Sequence, residues 1–279
     1  MQRLAADLGV AHYESGLFWF QLEGGPQIQV EPLEQGDAIA LHAGFRRVPR
    51  GHENEDTTIE DLLSANAPRN GYPMWAIDPV DGQAVLFQRF DDAGIGYEEL
   101  VRQVQGFAQK GAAGMTPSPE RQNASAAVPT PTDAETFRLL LADLAFRHGG
   151  DPAAADTADK GGFLVATEDG GGVLIRLEPV PATVLLKSLV AFMPMDEEEM
   201  GEARTGEFLR PLLEANLLGE ATGGACFAID DEDGDGLIAY RRLPLAGLDA
   251  FTLGRSLGEL MTTSARFAEN LNINMPVLA

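Results

Sequence analysis

Short apolar runs divided by turn residues predict antiparallel strands in two separate parts of the chain. Gly24-Gly25-Pro26 and Asp169-Gly170-Gly171-Gly172 are hairpin-type connections, and a later Asp-Gly pair turns a further hairpin in each part. The predicted strands are Leu17–Leu22, Ile28–Val30, Ala38–Leu41, Met74–Asp78 and Val85–Arg89 in the first part, and Phe163–Ala166, Val173–Leu177, Thr183–Leu189, Cys226–Asp230 and Leu237–Arg241 in the second.

Apolar residues at helical spacing predict three helices in each part. The opening helix is weak in the first part and clear in the second, the middle helix carries a double leucine, and an amphipathic helix closes each part. In the first part, the apolar positions are Leu4, Leu8 and Val10 in the opening helix, Leu62 and Leu63 in the middle helix, and Leu100, Val101, Val104 and Phe107 in the closing helix. In the second part, they are Phe137, Leu140, Leu141, Leu144 and Ala145 in the opening helix, Leu212 and Leu213 in the middle helix, and Leu253, Leu257, Leu260, Met261 and Phe267 in the closing helix. The predicted order is αβββαββα, twice.

Helix starts are predicted from capping residues. Thr57 with Glu60 and Thr132 with Glu135 have the spacing of capping boxes, and Thr205 stands near Glu207. Pro211 is expected in the first turn of its helix, because a proline further inside would remove a backbone hydrogen bond.

The two parts are also similar to each other in sequence. Ile59-Glu60-Asp61-Leu62-Leu63-Ser64-Ala65-Asn66 aligns without a gap to Leu209-Arg210-Pro211-Leu212-Leu213-Glu214-Ala215-Asn216, with four of eight positions identical. Ala76-Ile77-Asp78 matches Ala228-Ile229-Asp230. Self-similarity over a whole domain length indicates a duplication rather than a solenoid of short repeats.

A proline-rich stretch separates the two similar parts. The segment around Pro117, Pro119, Pro129 and Pro131 offers little to bury and is typical of a partly extended linker. We therefore predict a first domain at residues 1–112, a linker at 113–133 and a second domain at 134–279. The fold class is α+β, with antiparallel sheets and the two domains packed as a pseudo-dimer.

Charge and composition narrow the classes of partner. The 279 residues include 20 Lys and Arg against 43 Asp and Glu, a net charge of −23, which argues against nucleic acid or an anionic membrane. No apolar run approaches the length of a membrane span, and the start of the sequence has no pattern of a secretory signal. The single cysteine, Cys226, suits a reducing compartment. We expect a cytoplasmic protein.

Three segments of the second part carry a resemblance to a known family. Leu212-Leu213-Glu214-Ala215-Asn216, Gly223-Gly224-Ala225 and Arg241-Arg242-Leu243-Pro244-Leu245, with the predicted element order, resemble the Tir chaperone (CesT) family of type III secretion. The similarity covers nearly all of residues 135–271 and, more loosely, residues 1–110. It implies a small acidic chaperone of a Gram-negative bacterium, with no enzymatic activity and no cofactor. Such a chaperone binds the extended amino-terminal segment of a secreted effector and keeps it export-competent.

The resemblance also implies an assembly. The resemblance implies that members of this family form homodimers, whereas here two copies lie in one chain. An intramolecular pseudo-dimer would then replace the homodimer, and the chain itself could be monomeric. Leu62 and Leu63 would then face Leu212 and Leu213 across a domain–domain interface. The alternative is that these four leucines are core residues.

The effector-binding surface is expected on the first helices and the adjoining strands. Its candidate residues are Leu4, Leu8, Leu17, Trp19, Phe20, Leu140 and Leu144. Because neighbouring residues of a strand point to opposite faces, Leu17 and Trp19 cannot share a face with Phe20, and the sequence leaves open which set is exposed. An adaptor that uses the same fold to bind a protein partner is the alternative function.

Motifs for metal and catalysis fail on inspection. Asp231, Asp233, Asp235 and Gly236 match an EF-hand loop, but Arg242 occupies the position of the chelating glutamate. The four histidines show no metal-ligand spacing. No phosphate-binding loop, dinucleotide fingerprint or nucleophile elbow is present. We therefore predict no metal site and no catalytic residues.

Overall fold

In the computed structural model, the described residues are 12–14, 17–21, 26–32, 38–48, 50–51, 55–68, 73–91, 97–113, 130–160, 162–166, 171–179, 182–192, 205–219, 222–230 and 236–270. They fall into two compact units. Unit 1 is drawn from Met1–Pro119 together with Glu202–Ala221, and unit 2 from Glu120–Gly201 together with Thr222–Ala279.

Unit 1 contains a six-stranded antiparallel sheet in the order β1-β2-β3-β4-β6-β5. Its strands are β1 (His12–Glu14), β2 (Leu17–Gln21), β3 (Gln27–Pro32), β4 (Ala38–Arg47), β5 (Met74–Ile77) and β6 (Gln83–Asp91), and its helices are α1 (Glu55–Ala65), α2 (Tyr97–Ala113) and α4 (Thr205–Asn216). Helix α4 packs against α1 and β5.

Unit 2 contains a five-stranded antiparallel sheet in the order β10-β11-β9-β8-β7. Its strands are β7 (Phe163–Ala166), β8 (Gly172–Pro179), β9 (Ala182–Phe192), β10 (Cys226–Asp230) and β11 (Gly236–Pro244), and its long helices are α3 (Pro131–Arg147) and α5 (Ala250–Asn270). Helix α5 packs on β8, β9 and β11 and also contacts α3. The ring of Phe227 in β10 lies 4.5 Å from that of Phe267 in α5, so this face of the sheet is the core.

The two sheets share one strand order. Without β1, unit 1 reads β2-β3-β4-β6-β5, which is the order β7-β8-β9-β11-β10 of unit 2. The α+β class with two antiparallel sheets, each accompanied by helices, is confirmed. Strand β1 was not predicted, and the opening helix predicted at Leu4, Leu8 and Val10 lies outside the described residues.

Two predicted helix starts are wrong. Helix α1 begins at Glu55, so Thr57 lies inside its first turn. Helix α3 begins at Pro131, and its cap is Thr130, whose hydroxyl oxygen accepts a hydrogen bond from the Asp133 backbone N–H at 3.1 Å. Proline at the first helical position has no N–H to leave unsatisfied, which makes the earlier start favourable. The last residues of the predicted linker therefore belong to α3.

The predicted position of Pro211 is also wrong. It lies in the second turn of α4, where its missing N–H removes one bond of the helical ladder. The flanking Arg210 and Leu212 are buried, and burial of such neighbours holds the helix in place.

The compact units do not follow the sequence repeat. Helix α4 belongs by sequence to the second part but is grouped with unit 1, because it packs on α1 and β5. The domain ranges 1–112, 113–133 and 134–279 stay predictions about the duplication.

Candidate functional site

Strand β7 forms an exposed edge of the unit 2 sheet. Its only partner strand among the described residues is β8, through pairs from Phe163 with Ile175 to Ala166 with Gly172. Exposure alternates along it, and Leu164 is 65% exposed whereas Ile175 opposite Phe163 is fully buried. Such an edge presents unpaired backbone N–H and C=O groups beside an exposed apolar side chain.

The corresponding strand of unit 1 is not an edge. Strand β2 pairs with β3 on one side and with β1 on the other, where His12 lies opposite Trp19. Residues of the chain itself therefore occupy in unit 1 the position that is open beside β7 among the described residues of unit 2.

Helix α3 carries a second exposed apolar feature. Leu139 is 54% and Phe146 is 72% exposed, and they are seven residues apart, which places them on one side of the helix. Phe251, near the start of α5, is 67% exposed. Helices α3 and α5 approach closely near these two phenylalanines, since a Cβ on Gly254 would lie 3.2 Å from His148 Nε2.

The predicted effector-binding residues differ in how far they are exposed to solvent. Leu140 and Leu144 are buried, at 7% and 2% exposure, on the side of α3 that faces the core. Such burial is typical of core residues. Trp19 is half-buried in β2 and pairs with Gln29.

The remaining predicted residues are described less fully. Leu4 and Leu8 lie outside the described residues, and of Leu17 and Phe20 only the backbone is described. Phe20 pairs with Ile28, whose side chain is fully buried. An effector-binding role for this set stays a prediction.

The four leucines of the predicted domain–domain interface are all buried. Leu62 and Leu63 lie on α1, Leu212 and Leu213 lie on α4, and none is more than 3% exposed. Helices α1 and α4 come from different sequence repeats and pack against each other within unit 1. The four leucines can therefore be both core residues of unit 1 and contacts between the two repeats.

Asn66 has a role that the repeat motif alone did not reveal. Its amide nitrogen donates to the Trp75 carbonyl at 2.8 Å, and its amide oxygen accepts from the Trp75 N–H at 2.6 Å. Trp75 lies in β5, the edge strand of unit 1, so this side chain satisfies backbone groups that an edge would otherwise expose. Its identity with Asn216 in the repeat was the available signal.

Unit 2 also contains buried charges that are paired. Lys187 Nζ lies 2.8 Å from Asp230 Oδ2, with both side chains under 10% exposed, and Arg242 Nε donates to Glu178 at 2.7 Å. Burial raises the pKa of the Cys226 thiol to about 12, although the Tyr240 hydroxyl and the charge of Arg242 oppose that shift. The thiol is therefore protonated at neutral pH.

Among the described residues there is neither a metal-ligand cluster nor a membrane span. No group of three His, Cys, Asp or Glu side chains there could hold a metal ion. No helix there is long and apolar enough to span a bilayer. The EF-hand-like loop falls at residues 231–235, outside the described residues, while Arg242 is engaged with Glu178.

Comparison with known proteins identifies the second part of the chain. Residues 140–267 match the model of the Tir chaperone protein (CesT) family. This part is a CesT-family type III secretion chaperone domain, a class without enzymatic activity, so the prediction of a non-enzymatic chaperone is confirmed. The match covers the second part alone. No curated protein matches the chain.

Several solved structures are similar to about half of the chain. The HopA1–SchA chaperone–effector complex has 18% identity and a TM-score of 0.40, over 50% of this chain and 99% of its own. The ExsC–ExsE complex has 18% identity and a TM-score of 0.39, over 52% of this chain and 98% of its own. The ExoU–SpcU complex of the Pseudomonas aeruginosa type III secretion system has 21% identity and a TM-score of 0.34, over 42% of this chain and 95% of its own.

Proposed function

We propose that the chain is a tandem CesT-type chaperone that binds an extended segment of a secreted effector in the bacterial cytoplasm. The observation that carries the proposal is the family match over residues 140–267. The common strand order of the two sheets supports a duplication, with the first part as a second, diverged copy. The proposed partner, a secreted effector, is the kind of client that the family resemblance implies.

Strand β7 is the proposed site of client binding. An extended client that adds beside β7 would satisfy the unpaired backbone groups of the edge, and Leu164 would supply an apolar contact. Burial of an apolar side chain contributes roughly 25 cal/mol per Å² removed from water. Leu139 and Phe146 on α3 are the proposed continuation of the apolar surface.

Client binding is proposed at one sheet edge per chain. The sequence predicts a patch in each half, but β1 occupies the edge of unit 1 beside β2. The edge beside β7 carries the exposed apolar side chain of Leu164, which favours unit 2 as the docking unit.

Co-purification tests the proposal. The product of the adjacent reading frame is tested as the candidate effector, and its amino-terminal segment is co-expressed with the tagged chain. We expect Leu164→Asp and Phe146→Asp each to lower recovery of the segment about tenfold or more, because a buried charge without a partner replaces an apolar contact. The melting transition should stay close to that of the wild type, since both side chains are exposed.

The matched control is Val80→Asp, which changes an apolar residue that is 93% exposed in the turn between β5 and β6. This variant should retain the segment. Equal recovery by all three well-folded variants would contradict the proposed surface. If the chain retained no effector segment but bound a folded regulator or enzyme, the adaptor function would replace the chaperone function.

A further inference from the structure

A buried ion pair joins the middle helices of the two sequence repeats. Arg210 of α4 lies with Nη2 2.7 Å and Nε 2.8 Å from Glu55 Oε1, and both side chains are about 5% exposed. Arg210 Nη2 also donates to the Val48 carbonyl at 2.8 Å, and the Gly51 N–H donates to the Glu55 carboxylate. Each charge is thus neutralised and hydrogen-bonded inside unit 1.

The pair is asymmetric with respect to the repeat. Extending the gap-free alignment to the helix starts sets Glu55 over Thr205, which are the first residues of α1 and α4. The same alignment sets Arg210 over Glu60. Neither helix therefore carries both members of the ion pair.

Because of this asymmetry, the ion pair can form between α1 and α4 but not between two α1 helices or two α4 helices. If two α1 helices paired in the arrangement that α1 and α4 adopt, Glu55 would face Glu60. The pKa of Glu60 is already raised by burial and by the neighbouring charges of Asp56 and Asp61, so a further carboxylate would be repelled. If two α4 helices paired, Arg210 would face a threonine and its charge would be buried without a carboxylate.

We propose that the Glu55–Arg210 ion pair specifies the partner of each middle helix. It selects pairing of α1 with α4, the helix of the unlike repeat, against pairing of like helices between chains. A buried ion pair contributes little net stability compared with apolar packing, but a buried charge whose partner is missing is strongly unfavourable. The ion pair therefore acts mainly by making the pairing of like helices less favourable than the pairing of α1 with α4. The Arg50–Glu214 pair at 3.2 Å joins the turn before α1 to α4. The inference concerns assembly and does not depend on client binding.

Two double variants of the full chain with the same change of charge test the proposal. Glu60→Arg/Arg210→Met removes the ion pair between unlike helices and places an arginine where two α1 helices could each pair it with Glu55. Asp61→Arg/Arg210→Met is the matched control, because Asp61 is exposed and is displaced by one residue from the aligned position. The mass of each is measured by light scattering over a concentration series, with circular dichroism to establish folding.

We expect the Glu60→Arg double variant to shift toward twice the wild-type mass as concentration rises, while the Asp61→Arg double variant keeps the wild-type mass. The single variants Glu60→Arg and Asp61→Arg, which retain Arg210, form a second comparison in case the loss of Arg210 prevents folding. A larger dimer fraction for Glu60→Arg is expected there too. Identical mass distributions for the Glu60 and Asp61 variants in the folded background would overturn the proposal.

Discussion

Individual residues of unit 2 show how burial determines the role of a charge. The Lys187–Asp230 pair is almost inaccessible to water, whereas the Arg147–Asp143 pair on α3 is about half exposed on both sides. Taking one partner from a buried pair leaves a charge in a poorly solvated place, while an exposed partner is simply rehydrated. The two pairs have similar lengths, 2.8 Å and 2.9 Å, so distance alone does not measure their importance.

Replacement of Asp230 by alanine should therefore destabilise unit 2 strongly. We expect a loss of about 3–5 kcal/mol in the free energy of unfolding, because Lys187 loses its carboxylate in a buried site. Asp143→Ala, the matched control, should cost less than about 1 kcal/mol. Urea unfolding followed by circular dichroism measures both, and equal losses for the two variants would refute this account of burial.

The Cys226 thiol should report unfolding. Because burial raises its pKa to about 12, the folded state holds the proton that an unfolded thiol loses near pH 9. The contribution to stability is present below pH 9 and declines as the pH rises from there toward 12. At pH 8 we expect slow reaction with a thiol reagent in the native protein and one rapid equivalent in denaturant. Rapid labelling of the native chain would contradict the assigned burial.

At the scale of elements, strand pattern was predicted better than helix ends. The predicted strands Phe163–Ala166 and Cys226–Asp230 have the observed bounds, because a short apolar run bounded by turn residues is a local signal. The starts of α1 and α3 were misplaced, since more than one nearby residue could cap each helix. Pro211 shows the same limit, because tertiary packing of α4 overrides a local preference against proline.

The candidate site was only partly predictable for a related reason. Helical spacing indicates the apolar stripe of α3 that contains Leu140 and Leu144, and this stripe is buried. The exposed apolar residues Leu139 and Phe146 lie outside the stripe, so spacing alone does not single them out. Strand β1 carries no strong apolar alternation in His12–Glu14, and its position depends on pairing with β2. Edge strands are defined by neighbours distant in sequence, which a local pattern does not contain.

At the scale of the whole molecule, the two sheets have one strand order but different edges. The edge beside β2 is filled by β1, and β5 is satisfied in part by Asn66, whereas β7 has β8 as its one strand neighbour among the described residues. An exposed edge strand is a liability in a soluble protein unless a partner covers it. We propose that a client segment covers the edge beside β7.

Hydrogen–deuterium exchange on the chain, free and bound to the effector segment, tests the central claim most directly. Addition of a client strand supplies hydrogen-bond acceptors to the edge, so amides in peptides that cover β7 should exchange at least about tenfold more slowly in the complex. Peptides that cover β2 should exchange at unchanged rates, because β2 is paired with a strand on both sides. Protection of β1 and β2 with no change at β7 would contradict the account.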